Sequence, residues 1–215
     1  MKQRNAIRRK IMSKNTGPLS APKKLKILVT IVDRGKADFY LDILEGFDVN
    51  LQTVSYGKGT VSTEIMHYLG LSETGKAVIL SVVSEERIKE ILDAYEDKYF
   101  KTRNKMGTYE LIICIVNSGF SDSVMAAARS SGAGGGTVLN ARGTAKEESE
   151  KLYNIFIQPE KEIVLILALK EIKDQILHAI YQQVGLDTPG QGIAFSVPVD
   201  DVVGLDTPIV KKETV

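Results

Sequence analysis

The sequence predicts an α+β fold assembled from two tandem copies of one small unit. The apolar run that begins at Leu25 returns at Tyr109, 84 positions later, and the same register persists without a gap from residues 53–60 to residues 137–144. Each copy then continues with another apolar run and an amphipathic helix. A period of 84 is far longer than the roughly 20 to 50 residues of a solenoid repeat, so the repeat indicates a duplicated small domain.

Each copy is predicted to follow the order β-α-β-β-α-β, because runs rich in Val, Ile and Leu alternate with segments of helical apolar spacing. The predicted strands are 25–32, 49–56 and 77–83 in the first copy and 109–116, 137–142, 162–169 and 193–199 in the second, and the predicted helices lie at about 36–46, 88–99, 121–131 and 172–184. This order is the ferredoxin-like arrangement, in which an antiparallel sheet carries both helices on one face. The face of the sheet without helices must be covered by another surface.

The repeat divides the chain into four parts. We expect a basic flexible tail at 1–24, a first ferredoxin-like unit at 25–107, a second at 108–203 and a C-terminal tail at 204–215. The first unit is expected to lack its own fourth strand, because the chain passes from residue 107 directly into the first strand of the second unit. Units of this size usually need a partner to cover their apolar faces, so we expect a homo-oligomer, either a dimer or a trimer.

Local signals support individual elements of the second copy. Ser118 and Ser121 are predicted N-caps of the helix at 121–131, and Gly132 is predicted to end that helix. Pro198 predicts that the last strand lies at the edge of the sheet or ends there, because proline cannot donate a hydrogen bond to a neighbouring strand.

Composition and charge narrow the classes of protein. Hydrophobic residues make up 43% and charged residues 26% of the 215 residues, as in ordinary globular proteins. The single Cys114 lies in an apolar run, which excludes an internal disulfide and suits a reducing compartment, and we interpret it as a buried small hydrophobe. No apolar run approaches the roughly 20 residues that span a bilayer, so a cytoplasmic protein is expected.

The main asymmetry of charge lies in the first 24 residues, which contain eight Lys or Arg residues and no acid. Since the whole chain has a net charge of +1, the remainder carries −7. One interpretation is a disordered solvating tail. The others are contact with an anionic membrane surface, nucleic acid or an acidic protein, because clustered cations attract polyanions without regard to sequence.

Several segments of the second copy carry a resemblance to a known family. They are Gly136-Thr137-Val138 with Gly143, Pro159 with Lys161 and residues 163–166, the glycine turn Gly190-Gln191-Gly192, and residues 197–202. Together they resemble the PII family of nitrogen-regulatory signalling proteins, which are ferredoxin-like trimers that bind adenine nucleotides between subunits and dock onto enzymes and transporters. In that family the glycine turn is the B-loop, which wraps nucleotide phosphates.

The resemblance implies a set of ligand-binding residues. They are Thr137, Arg142, Gly143, Thr144, Gly190, Gln191 and Gly192 in the second copy and, through the repeat, Thr53, Lys58, Gly59 and Gly107 in the first, which predicts a second cleft between the copies. Glycine permits backbone N–H groups to approach phosphate oxygens closely. The alternatives are an ordinary turn without ligand at residues 190–192 and solvated surface charges at Lys58 and Arg142.

The chain also departs from the family pattern. The segment that replaces the long T-loop, 144–157, is short and acidic, and two arginines that normally follow the last strand are missing. Glu160 stands where the family has a phosphate-binding lysine, with Lys161 beside it as a possible substitute. Fewer cations weaken the case for ATP specifically, since a triphosphate needs charge-assisted contacts. The candidate effectors are therefore ATP, ADP, AMP or another small anion.

Catalytic and metal motifs are not found in the sequence. The histidines, His67 and His178, lack metal-ligand spacing, and no nucleophile elbow or phosphate-binding loop of the Walker type occurs. The leading hypothesis is a non-catalytic regulator linked to nitrogen metabolism, which senses a small anionic metabolite or adenine nucleotide and regulates an enzyme or membrane transporter, with no metal and no specific nucleic acid. The alternatives are a transporter regulator that acts through the basic tail without nucleotide, and an undetected enzyme.

Overall fold

The computed structural model describes residues 24–47, 49, 51–60, 74–99, 103–104, 108–143, 151–152, 155–156 and 160–204. Within these residues the protein is α+β, with an antiparallel curled sheet and four α-helices. Nearly all of the predicted basic tail, most of the predicted C-terminal tail, and the predicted site residues Gly107 and Thr144 lie outside them.

The elements follow the predicted order closely. The strands are β1 Leu25–Asp33, β2 Leu51–Gly59, β3 Thr74–Ser84, β4 Arg103–Asn104, β5 Tyr109–Asn117, β6 Thr137–Arg142, β7 Lys151–Leu152, β8 Ile155–Phe156, β9 Glu160–Leu169, β10 Ile193–Val199 and β11 Val202–Val203. The helices are α1 Ala37–Glu45, α2 Glu85–Tyr99, α3 Ser121–Ser130 and α4 Lys173–Val184, and a 3-10 turn at Arg34–Lys36 precedes α1.

Seven strands form the main sheet in the order β1-β3-β2-β6-β9-β5-β10, and the neighbouring strands pair antiparallel. Three of the four described helices each connect two strands that flank a third: α1 joins β1 to β2 across β3, α3 joins β5 to β6 across β9, and α4 joins β9 to β10 across β5. The fourth helix, α2, leads instead to β4, which pairs with β11 outside the main sheet. Among the described strands β10 therefore lies at a sheet edge, as Pro198 predicts.

The helices cover one face of the sheet because side chains alternate between faces along each strand. One core joins α1 and α2 to β1 and β3, and it contains Val32, Ala37, Tyr40, Leu44, Ala77, Ile79, Val83, Ile91 and Tyr95. The other joins α3 and α4 to the second half of the sheet, and its members include Ile112, Cys114, Val116, Val124, Met125, Val164, Ile166, Ile176 and Ile180. Complete burial of each large aliphatic side chain contributes roughly 1.5–3 kcal/mol.

The two copies of the repeat meet where β2 pairs with β6. Gly57 lies opposite Leu139 and Gly59 lies opposite Thr137 in an antiparallel register. Because positions 84 apart correspond, the register is symmetric about Tyr56 and its counterpart, Asn140. The copies thus join edge to edge by the same strand, and one continuous sheet results.

An ion pair shows how strongly the sheet curls. The ammonium of Lys26, on edge strand β1, lies 2.6 Å from the carboxylate of Asp200, which follows edge strand β10. In a flat sheet, strands spaced about 4.8 Å apart would separate these edges by roughly 29 Å. The sheet therefore bends until corners of its two edge strands meet. The hydrogen bond to Asp200 raises the pKa of Lys26 above its ordinary value.

The start of α3 differs from the prediction. Phe120, not a serine, occupies the N-cap position and supplies no side-chain hydrogen bond. The buried carboxylate of Glu162, on β9, instead accepts hydrogen bonds from the backbone N–H groups of Gly119 and Ser121, at 3.1 and 3.0 Å. The predicted serine caps were wrong because a cap can come from a distant strand. The end of the helix is as predicted, since Gly132 adopts a left-handed φ of +96°.

Replacing Glu162 by alanine should destabilise the protein by about 1–2 kcal/mol, because two amide groups at the start of α3 lose their acceptor. Urea unfolding followed by circular dichroism measures this change. The matched control is Glu160→Ala, two positions away on the same strand and exposed to solvent. Equal unfolding midpoints for the two variants would contradict the assigned capping role.

Candidate functional site

The glycine turn before β10 has its amide hydrogens directed into the chain. The N–H of Gly190 donates to Thr188 Oγ1 at 3.2 Å, that of Gln191 donates to the Thr188 carbonyl at 3.0 Å, and that of Gly192 donates to the Val184 carbonyl at 2.6 Å. An anion-binding nest requires amides that point at the ligand. The three donors of this turn are bound to acceptors at the end of α4 and within the turn.

Packing against α4 explains why glycine stands in this turn. A side chain at Gly192 would collide with the carbonyl oxygen of Val184 and lie 2.9 Å from a methyl group of Val116. At Gly190 a Cβ would lie 3.1 Å from the Cβ of Val184 and 3.3 Å from the Phe120 ring. The close approach that these glycines permit is that of a helix end. This geometry favours the interpretation of residues 190–192 as a structural turn over that of a phosphate nest.

Polar side chains beside the turn form a chain of hydrogen bonds. The ammonium of Lys161, on β9, donates to Asn117 Oδ1 at 2.5 Å, and Asn117 Nδ2 donates to the Pro189 carbonyl at 2.9 Å and to Gln191 Oε1 at 3.4 Å. Gln191 has a φ of +43°, a conformation that residues other than glycine adopt rarely and that is frequent at functional sites. We call Asn117, Lys161 and Gln191 the polar cluster.

The first copy has the same pair of positions with a different charge. Asp33 and Lys76 are cross-strand partners at the ends of β1 and β3, as Asn117 and Lys161 are at the ends of β5 and β9. The Lys76 ammonium lies 2.6 Å from the Asp33 carboxylate, and this hydrogen bond and its attraction lower the pKa of Asp33. In the second copy the oxygen belongs to a neutral amide, so the positive charge of Lys161 is not cancelled by this partner.

Sequence reasoning named Lys161 and Gln191 but missed Asn117. The signal was present, since Asp33 and Asn117 occupy the same place in the repeat. A carboxylate in one copy that becomes an amide in the other changes the charge available to a ligand. Only the cross-strand register shows that this position faces a lysine in both copies.

Two of the predicted residues lie near the polar cluster. Arg142 ends β6 opposite Glu160, and Gly143 follows it, so both lie at the same end of the sheet as Lys161. The partner of Lys161 is Ala141, so the side chains of Arg142 and Lys161 leave opposite faces of the sheet. Arg142 is exposed and Gly143 is half-buried. The positive charge of the arginine is thus on the helix-bearing face, and that of Lys161 is on the opposite face.

The other described members of the predicted site lie elsewhere. Gly59 and buried Thr137 face each other at the seam between the copies, with half-buried Lys58 beside them, and Thr53 is exposed on β2. Since β2 and β6 are hydrogen-bonded neighbours here, the copies meet at these residues in a continuous sheet.

Hydrogen bonds of Thr60 close the seam. Its N–H donates to the Gly136 carbonyl at 2.8 Å, the Gly136 N–H donates to Thr60 Oγ1 at 3.1 Å, and the Arg129 guanidinium donates to the Thr60 carbonyl at 2.8 Å. Arg129 therefore serves to hold the first copy against the second, and its positive charge is directed at a backbone oxygen.

Cys114 and His178, the other candidate reactive or metal-binding residues, lie in surroundings typical of structural residues. Cys114 is fully buried, as predicted, and burial raises the pKa of its thiol to about 12, so the reactive thiolate is not formed at neutral pH. His178 is exposed on α4, and its Nε2 lies 2.9 Å from Gln182 Nε2. Among the residues that the structure describes, no group of three or more His, Cys, Asp or Glu side chains is arranged to hold a metal ion.

Comparison of the chain with models of protein families and with curated proteins finds no match. Within the described part of the chain, none of the helices combines the length and apolarity needed to cross a membrane. Function is therefore inferred from the polar cluster, the charges around it and the arrangement of the elements that hold it.

Proposed function

We propose that the chain is a non-catalytic regulatory protein built from two ferredoxin-like units, the first with three strands and the second with four. Within that class it is a PII-like signalling protein linked to nitrogen metabolism, which senses a small anion or adenine nucleotide and regulates an enzyme or transporter. The strand order of the main sheet supports the two units, because each contains the split β-α-β connection. The sequence resemblance supports the proposal that it is a PII-like signalling protein.

The polar cluster is the anion site of this proposal. Lys161 supplies the charge, Asn117 positions its ammonium, and the strained Gln191 places a side-chain amide beside them. Arg142 lies at the same end of the sheet, but its side chain leaves the opposite face, so the cluster depends on Lys161 for its charge. The single observation that carries the proposal is that Lys161 faces an amide where the equivalent Lys76 faces a carboxylate.

The number of positive charges favours a ligand of low charge. The ammonium of Lys161 with the neighbouring side-chain amides matches a phosphate or a nucleoside monophosphate better than a triphosphate, which carries about four negative charges and needs more charge-assisted contacts. The amides of the glycine turn are already bonded within the chain, so these side chains are the donors on which the proposed site depends. AMP and inorganic phosphate are therefore the preferred candidates among the small anions.

The position of the site suggests how binding is transmitted to a partner. Strand β6 ends at Arg142 and β9 begins at Glu160, so the segment that replaces the T-loop leaves and re-enters the sheet beside Lys161. A ligand held at Lys161 contacts both ends of this segment. The ligand then favours those conformations of the segment to which it binds more tightly. A partner protein recognises the favoured conformations.

Isothermal calorimetry with phosphate, AMP, ADP and ATP tests the proposal. We expect at least one to bind with micromolar affinity, and Lys161→Met to weaken that binding at least about tenfold, because the aliphatic stem is kept and the charge is lost. The matched control is Lys76→Met, which removes the equivalent lysine of the first copy and should leave the affinity unchanged. Absence of heat with all four anions, or equal losses in both variants, would overturn the assignment.

A further inference from the structure

The face of the sheet opposite the helices, which we call the helix-free face, is apolar from one edge of the sheet to the other. Its centre is buried by the curl of the sheet and by contacts among neighbouring strands, at Val78, Leu139 and Leu165. Among the described strand residues, the charged side chains on this face are those of Asp33, Lys76 and Lys161. Because β2 and β6 pair antiparallel, the strand ends that carry Asp33 and Lys76 and those that carry Lys161 point in opposite directions along the sheet. The other described strand positions on this face carry uncharged side chains.

Large hydrophobic side chains stand exposed around this buried centre. Among the described residues, eight exposed large hydrophobic side chains belong to the helix-free face: Leu25, Ile27, Ile31, Leu51, Leu80, Ile193, Phe195 and Val197. Ile27 is 73% exposed and Phe195 is 44% exposed. With these exposed fractions, the eight residues together expose about 700 Å² of apolar surface to water. This area is larger than the roughly 300–600 Å² of the largest apolar patch on a typical monomer.

The exposed residues lie mostly on the two edge strands. Among the described strands, β1 pairs only with β3 and β10 only with β5, so each leaves a row of backbone groups open to further pairing. The ion pair between Lys26 and Asp200 brings corners of these strands together. Their exposed side chains therefore flank one opening of the curled sheet.

We propose that this face is covered by a second copy of the chain, in a symmetric dimer that packs the exposed residues of β1 and β10 against those of the partner. The area available, about 700 Å², is close to the roughly 800 Å² that each partner buries in a stable interface. An apolar patch that is complementary to itself suits an interface in which the same surface is used twice. The open edges of β1 and β10 supply hydrogen-bonding groups in addition.

The mass of the protein in solution tests this interface. Size-exclusion chromatography with light scattering should give about twice the chain mass of 23.6 kDa for the wild type and a single chain mass for the double variant Ile27→Lys, Phe195→Lys. The control is Tyr181→Lys, on α4, which is 61% exposed and lies away from this face. It should remain dimeric.

Circular dichroism verifies that the variants fold. As a measurement that needs no variant, amide hydrogen exchange in β1 and β10 of the wild type should accelerate on dilution below the dissociation constant. A wild type of single mass at about 100 µM, far above micromolar dissociation constants, or a dimer unchanged in the double variant, would overturn the proposal. So would a monomer that instead co-sediments with phosphatidylcholine vesicles through the same residues.

Discussion

Replacing Gly57 by alanine is expected to destabilise the protein by about 3 kcal/mol or more, since overpacking against backbone cannot be relieved by a rotamer change. A Cβ at this position would collide with the carbonyl oxygen of Val138 and lie 2.7 Å from Leu139 Cδ2. Gly57 lies where β2 pairs with β6, so the backbones of the two copies must separate to accept a methyl group. Urea unfolding followed by circular dichroism measures the loss, and we expect one transition to become two as the seam opens.

Gly35→Ala is the matched control for this change. No atom lies within 4 Å of a Cβ built at Gly35, and its backbone is not in the left-handed region. Alanine there should be neutral or stabilising by about 0.4–1 kcal/mol, through the reduced entropy of the unfolded chain. Equal effects of the two substitutions would show that the close approach at the seam does not limit stability.

Replacing Tyr40 by alanine is expected to destabilise the first unit by about 3–5 kcal/mol, the usual cost of removing a buried aromatic ring. Tyr40 is 2% exposed, and its ring makes edge-to-face contacts with Phe39 and Tyr95 at centroid distances of 5.3 and 5.0 Å. Neighbouring Leu44 is fully buried in the same core and cannot fill the space without moving α1. The unfolding midpoint in urea measures the loss.

Tyr181→Ala provides the comparison for Tyr40, because this second tyrosine is also on a helix but is 61% exposed. Its removal should change stability by no more than about 0.5 kcal/mol. Hydrogen exchange separates local from global effects: if β5 amides keep their protection in Tyr40→Ala while α1 amides lose theirs, the two halves of the sheet unfold independently. A loss below about 1 kcal/mol for Tyr40→Ala would contradict the assigned core.

The proposed anion site and the proposed dimer face adjoin. Lys161 and Asn117 are cross-strand partners on the helix-free face, at the ends of β9 and β5. The first copy contributes the Asp33–Lys76 ion pair to the same face. A ligand at the polar cluster therefore lies beside a surface that a second copy would cover, which places ligand recognition and assembly next to each other in the fold.

The elements and their order were predictable because each depends on local pattern. Strand β5 matches its predicted position within one residue, since a run such as Leu111 to Val116 has few alternatives to a buried strand. The left-handed Gly132 ends α3 as its chemistry requires. Burial of Cys114 followed from the apolar residues around it.

The candidate site was predictable only in part. The glycines at 190 and 192 were recognised as positions of close approach, but the approaching group is the end of α4, which lies next to them only in the folded chain. The N-cap of α3 came from Glu162, about forty residues away along the chain, and not from the serines beside the helix. A side-chain contact between strands that are distant along the chain cannot be predicted from the local sequence.

By itself the sequence determined the duplication, the kind and order of the elements, and which residues of each strand and helix are apolar, because these depend on short-range periodicity and on comparison of one copy with the other. Tertiary structure alone decided that the copies join through β2 and β6, that the sheet curls until Lys26 meets Asp200, and that Lys161 faces an amide. Backbone N–H and C=O groups at a strand edge are chemically the same along any chain, so they do not determine which strand pairs there. The packing of whole units decides the pairing, and it brings together residues as far apart as 174 positions.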